Sequence, residues 1–131
     1  MSTETQKNQE VLIGLFKIMN MGDMAQVRKA LMEVCTEGYV IHDPSTPNIQ
    51  PGIANYIESL NQFMKENSEP HVIIEDMFGV GDKVVTRAVF EFIELKTHEQ
   101  KKMMGIVISR FENGKIAEEW QVLAPFATPS A

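Results

Sequence analysis

Residues Met103–Leu123, MMGIVISRFENGKIAEEWQVL, place two apolar-rich runs on either side of Asn113-Gly114. Asn-Gly is the strongest short hairpin signal, because both residues tolerate the positive φ that a two-residue type I′ turn requires. The stretch therefore reads as two antiparallel strands, Met103–Glu112 and Lys115–Leu123. Just upstream, Lys83–Leu95 is rich in Val, Thr, Phe and Ile and predicts another long strand. Gly81-Asp82 turns it back from a strand over His71–Val80, and Thr97–Lys102 reads as a polar loop.

Ahead of Pro70 the apolar period is helical. Val11, Leu12, Leu15, Phe16 and Met19 fall on one helix face, ended by Asn20-Met21-Gly22. Asp23 is the expected N-cap of a second helix burying Met24, Val27, Leu31 and Val34 or Cys35, with Gly38 as its stop. Tyr39–His42 reads as a short strand closed by Asp43-Pro44. Pro51 opens a third helix with a stripe through Ile53, Tyr56, Ile57, Leu60, Phe63 and Met64. Helices first and consecutive hairpin-linked strands last define an α+β class: N-terminal helices packed on a strongly curved antiparallel sheet, a cone with an interior pocket. One domain is expected over residues 1–124, with 125–131 as a tail.

The 131 residues are 44% apolar and 23% charged, with 12 basic against 18 acidic side chains and a net charge of −6. These values fit a globular chain and argue against a nucleic-acid or anionic-membrane surface. The single cysteine, Cys35, excludes an intrachain disulfide and reads as a small buried hydrophobe. The polar, acidic start MSTETQKNQE is unlike a signal peptide, and no apolar run is long enough for a membrane span, so the expected compartment is the cytoplasm. His42, His71 and His98 lack metal-ligand spacing, and no phosphate loop, nucleophile elbow or dinucleotide fingerprint occurs. Neither metal nor cofactor is expected.

Four stretches carry a family resemblance. They are Asn20-Met21-Gly22-Asp23, Tyr39-Val40-Ile41-His42-Asp43-Pro44, Gly81-Asp82-Lys83-Val84-Val85, and Arg110-Phe111-Glu112-Asn113-Gly114-Lys115-Ile116-Ala117-Glu118-Glu119-Trp120. In this order they resemble the SnoaL-like polyketide cyclases, within the superfamily of nuclear-transport-factor-2-like cone folds. The resemblance implies a small-molecule pocket and a homodimer formed through the exposed sheet face. It departs at Ala124, four residues past Trp120, where family cyclases carry an acid; this departure favours a non-catalytic reading.

Among individual residues, His42-Asp43 is the leading proton-transfer pair, set against a turn-initiating Asp43 and a hydrogen-bonded wall histidine. Alternation on the last strand groups Ile116, Glu118, Trp120, Val122 and Ala124, and we expect this face inward. Glu118 then either enters an apolar pocket as an acid or pairs with an arginine. Arg87 and Arg110 lie on mostly apolar strand faces, as ion-pair partners or as clamps for an anionic ligand. Tyr39, Tyr56 and Trp120 are candidate ligand contacts, against a reading as core. The expected catalytic set is thus His42, Asp43 and Glu118, with Tyr39, Tyr56, Arg87, Arg110 and Trp120 binding ligand. The implied chemistry is acid/base isomerisation, cyclisation or dehydration of a small apolar carbonyl compound; the alternative is a non-catalytic ligand-binding or dimerising domain. Ser109, Glu119 and Gln121 would lie at the dimer face.

Overall fold

A computed structural model describes residues 3–126. The chain runs α1 (Glu4–Asn20), α2 (Met24–Val34), β1 (Cys35–His42), α3 (Ile53–Glu66), β2 (Asn67–Val80), β3 (Lys83–Glu94), β4 (Gln100–Glu112) and β5 (Lys115–Pro125). The strands form one curved sheet in the order β1-β5-β4-β3-β2. β2 to β5 make the antiparallel meander that the hairpin signals predict. Asn113 and Gly114 take φ of 50° and 79°, as a type I′ turn requires. The sheet is nevertheless mixed, because β1 joins its edge parallel to β5.

Each helix has an identifiable cause. Thr3 caps α1 in a complete capping box with Gln6, so the helix begins well ahead of its first apolar residue. Asp23 caps α2 by accepting from the N–H groups of Ala25 and Gln26. α2 ends at Val34 rather than at Gly38, and Cys35 opens β1 opposite Ile116. Pairing with β5 here overrides helical periodicity, and Gly38 falls inside the irregular stretch of β1 between Cys35 and Val40. Pro70 likewise sits inside β2, at a register shift between Ser68 and His71 that spares it a ladder hydrogen bond.

The core lies between the helices and the inner sheet face. Leu12, Val27 and Leu31 meet Tyr39, Val84, Ala88, Phe111 and Ile116, all nearly or fully buried. Each such aliphatic side chain contributes about 1.5–3 kcal/mol through burial. Asn20, at the end of α1, fastens helix to sheet: its Nδ2 donates to the Val72 carbonyl at 2.9 Å and its Oδ1 accepts from the Val72 N–H at 2.7 Å. β2 is an edge strand, so this one side chain stands in for a missing neighbour.

One irregularity sets the site. In the β4–β5 ladder, Phe111 pairs with Ile116 and Arg110 with Glu118, leaving Ala117 as an extra residue. A bulge of one residue reverses the phase of everything beyond it. Ile116 is buried as alternation from the hairpin predicts. From Glu118 onward the predicted faces are exchanged: Trp120 is 36% exposed and Val122 60% exposed on the outer face. Glu119, Gln121 and Leu123 turn inward instead.

Candidate active site

A cavity of about 320 Å³ opens between the inner sheet face and the helices. α3 supplies Tyr56, Leu60 and Phe63, and the sheet supplies Ile41, Phe90, Phe92, Met103 and Leu123. Gly105 makes room for two of these: a Cβ there would lie 2.5 Å from both Leu123 Cδ2 and Phe90 Cε2.

Into this apolar wall β1 delivers Asp43. Tyr39 and Ile41 are buried on the inner face, so strict alternation sends His42 outward and Asp43 inward. Asp43 is 8% exposed. Its Oδ1 accepts from the Ser45 N–H at 2.8 Å and the Ser45 hydroxyl at 2.7 Å, and its Oδ2 accepts from Gln121 Nε2 at 2.8 Å. Burial pushes its pKa up, but the bonds from Ser45 and Gln121 outweigh burial and hold it below the ordinary aspartate value. Asp43 is therefore a carboxylate at neutral pH, with a fixed orientation.

Tyr56 faces the same cavity, and among the described residues no protein group hydrogen-bonds its hydroxyl. Burial first, then the nearby Glu119, Cys35 and Asp43, raise its pKa, so the phenol keeps its proton and remains a donor. Tyr39 sits behind it: the rings meet edge-on at 5.2 Å, and Tyr39 is only 1% exposed. The Tyr39 hydroxyl donates to Glu119 Oε1 at 2.6 Å and Ser109 Oγ donates to Oε2 at 2.5 Å. Burial raises the Glu119 pKa against these two bonds. Burial, helped by Glu119, also pushes the Cys35 thiol up to about 12, so it is inert at neutral pH.

The remaining expected residues lie elsewhere. His42 Nε2 and Glu118 Oε2 are 2.7 Å apart on the outer face, and Arg110 Nε donates to Glu118 Oε1 at 3.1 Å while its Nη1 binds Glu112. His42 stacks on Trp120 with ring centroids 5.5 Å apart. Arg87 is exposed on β3, between Asp76 and Ile106 on the neighbouring strands. The structure thus brings Asp43 and Tyr56 to the cavity, with Tyr39 behind them. His42, Glu118, Trp120, Arg87 and Arg110 do not line it. Glu118 takes the ion-pair arrangement, and Trp120 is corrected from inward to outward by the Ala117 bulge. Glu119 and Gln121, expected at an outer face, are corrected to the interior for the same reason, and Ser109 is corrected to the interior by plain alternation on β4, where it shares the buried phase of Val107 and Phe111.

Sequence reading missed Gln121, Ser45 and His71 as wall residues. Ser45 carried a usable signal, since Asp-Pro-Ser is an Asx-turn pattern in which the Asp accepts from a residue two positions on. Among the described residues, no group of three or more His, Cys, Asp or Glu side chains could hold a metal ion, and no helix is long and apolar enough to cross a membrane.

Helices roofing a curved sheet over an apolar cavity define the nuclear-transport-factor-2-like cone fold. The chain belongs to the SnoaL-like polyketide cyclase family, whose sequence model matches residues 10–127. Among solved structures it is similar to a protein from Jannaschia sp. CCS1 assigned as a SnoaL-like polyketide cyclase. Identity there is 20%, TM-score 0.79, covering 94% of this chain and 89% of that one. It is also similar to IdmH from Streptomyces antibioticus, assigned as a polyketide cyclase, at 23% identity and TM-score 0.74 over 88% of this chain and 91% of that one. A third, from Acidithiobacillus ferrooxidans and with the same kind of assignment, has 22% identity and TM-score 0.76 over 94% and 91%. At these identities the likeness establishes the fold. None of the curated proteins compared matches this chain.

Proposed function

We propose that the cavity binds a small, largely apolar carbonyl compound and catalyses proton transfer within it, of the isomerisation, cyclisation or dehydration type. One observation carries this reading: a fixed carboxylate, Asp43, and a free phenol donor, Tyr56, face the same apolar cavity. Asp43 takes a proton from the carbon beside the carbonyl while Tyr56 donates to the carbonyl oxygen, where negative charge develops. Apolar walls exclude water and strengthen both interactions. Tyr39, whose hydroxyl is held by Glu119, supports the Tyr56 ring edge-on from behind.

Ala124 favours a purely binding role only if its side chain faces the ligand. It lies on the outer phase of β5, opposite Met104, so a carboxylate there would not reach the cavity. The outer face exposes Met104, Ile106, Trp120 and Val122 on neighbouring strands. An apolar patch of this kind supports a homodimer through the sheet face.

The test uses 2-tetralone in D₂O, with exchange of its α-protons followed by NMR. Wild-type protein is expected to accelerate exchange and Asp43→Asn to lose about 100-fold or more of that acceleration. Equal acceleration by the two proteins overturns the role of Asp43. Tight binding with no acceleration by either returns the reading to a non-catalytic binder.

A further inference from the structure

Gln121 is turned to the cavity by the Ala117 bulge, and one end of its amide is already committed. Its Nε2 donates to Asp43 Oδ2 at 2.8 Å. A carboxylate only accepts, so this contact fixes which end of the amide meets it: Nε2 turns to Asp43 and Oε1 turns away. Among the described residues, no group donates to Oε1. Nor is the atom sealed in the core, since the buried side-chain atoms without a partner among those residues are Asn8 Nδ2 and Thr86 Oγ1. Oε1 is therefore an acceptor held in place and open to whatever fills the cavity.

Asp43 fixes where this acceptor matters. Its Oδ1 takes two bonds from Ser45, whereas Oδ2 takes one from Gln121 and keeps room for an incoming proton. Oε1 and Nε2 belong to one planar amide, so a group bound at Oε1 lies beside the carbon from which Oδ2 takes its proton. Tyr56 offers a donor to the carbonyl oxygen in the same cavity. A donor, a base and an acceptor thus answer three parts of one ligand.

We infer that Gln121 is a binding residue that reads a hydroxyl on the ligand: the substrate is a hydroxy ketone whose hydroxyl, close to the acidic C–H, donates to Gln121 Oε1. The inference rests on the reading of the cavity given above and adds the substrate class. A group that only accepts, such as an ether oxygen, gains nothing at Oε1. An ammonium donates, but the Asp43 carboxylate would bind it first and the base would be lost. A hydroxyl is a neutral donor and leaves the carboxylate free. A ligand without it leaves Oε1 desolvated and unpaired, which sharpens the preference.

The experiment measures affinities of 1-tetralone, 4-hydroxy-1-tetralone and 4-methoxy-1-tetralone by isothermal titration calorimetry, for the wild type and for Gln121→Met. The hydroxy ketone is expected to bind wild type about tenfold more tightly than 1-tetralone. No such gain is expected for the methoxy ketone, whose oxygen can use only the second hydrogen of Nε2. In Gln121→Met the gain is expected to vanish while 1-tetralone binds as it does to wild type, which also shows that the variant is folded. Gln121→Lys keeps a donor for Asp43 and has no acceptor; it is expected to lose the gain in the same way and decides the matter if Gln121→Met does not fold. If 1-tetralone binds but the hydroxyl brings no gain, the methoxy group shares it, or it survives in the variant, the hydroxyl site is overturned and the cavity reading stands. If no probe binds wild type, the cavity reading falls and takes the hydroxyl site with it.

Discussion

Tyr56 packs on Tyr39, whose hydroxyl donates to Glu119, yet substitutions of Tyr56 and Glu119 are expected to show in different measurements. Tyr56→Phe deletes only a donor aimed at the cavity. It is expected to lower kcat for α-proton exchange about 100-fold with little change in thermal stability. A large loss of stability with unchanged exchange would assign Tyr56 to packing alone. Glu119 acts on stability through pH. Its folded pKa is raised above the ordinary 4.5. The folded state therefore holds the proton more tightly than the unfolded state does. The associated stability is complete below about pH 4.5 and is lost as pH rises through the folded value. The melting temperature of the wild type relative to Glu119→Gln is expected to be highest near pH 4 and to fall towards pH 7. A difference that grows with pH would contradict the raised value. Asp43, whose pKa is lowered, works in the opposite sense: its contribution is present above the ordinary 3.8 and fades as pH falls through the folded value. Gly105→Ala tests the cavity's shape, since the new methyl must displace Phe90 and Leu123. It is expected to change which ring systems bind more than it changes the fold, read as altered relative affinities for one-ring and two-ring ketones.

Elements were legible where one local rule sufficed. The hairpins at Gly81-Asp82 and Asn113-Gly114, the break at Gly22 and the three amphipathic stripes all appear where local sequence places them. Two features were set by distant pairing and could not be read locally. Cys35 fits a helix stripe as well as a strand, and only its place opposite Ile116 decides. The Ala117 bulge carries no glycine, so nothing in Lys-Ile-Ala-Glu-Glu marks it, and alternation assigned half of β5 to the wrong face. Asp43 and Tyr56 could be named in advance because each depends on its own element. Gln121 could not, because its direction depends on the bulge. The α1–β2 junction offers a direct element-scale test. Asn20→Ala removes both bonds to Val72 and is expected to cost about 2 kcal/mol. The measurement is the urea midpoint at unchanged m-value, and a shift within error would mean water replaces the amide at no cost.

At the scale of the whole molecule, the proposed dimer through the outer sheet face gives a direct test. Ile106 is 45% exposed and lies beside Val122 in the ladder. Ile106→Lys is expected to convert a dimer to a monomer in analytical ultracentrifugation while leaving ligand affinity within about twofold. A wild-type mass of one chain would remove the dimer outright. The parallel pairing of β1 with β5 has a further consequence, in time rather than in space. Tyr39 and its partner Glu119 are 80 residues apart in the chain. On a ribosome, β1 leaves the exit tunnel long before its sheet neighbour β5 has been made, and its backbone groups must wait in water. Nascent chains arrested ahead of Lys115 should therefore be readily cut by protease around residues 35–42, and should gain protection in a single step once β5 emerges.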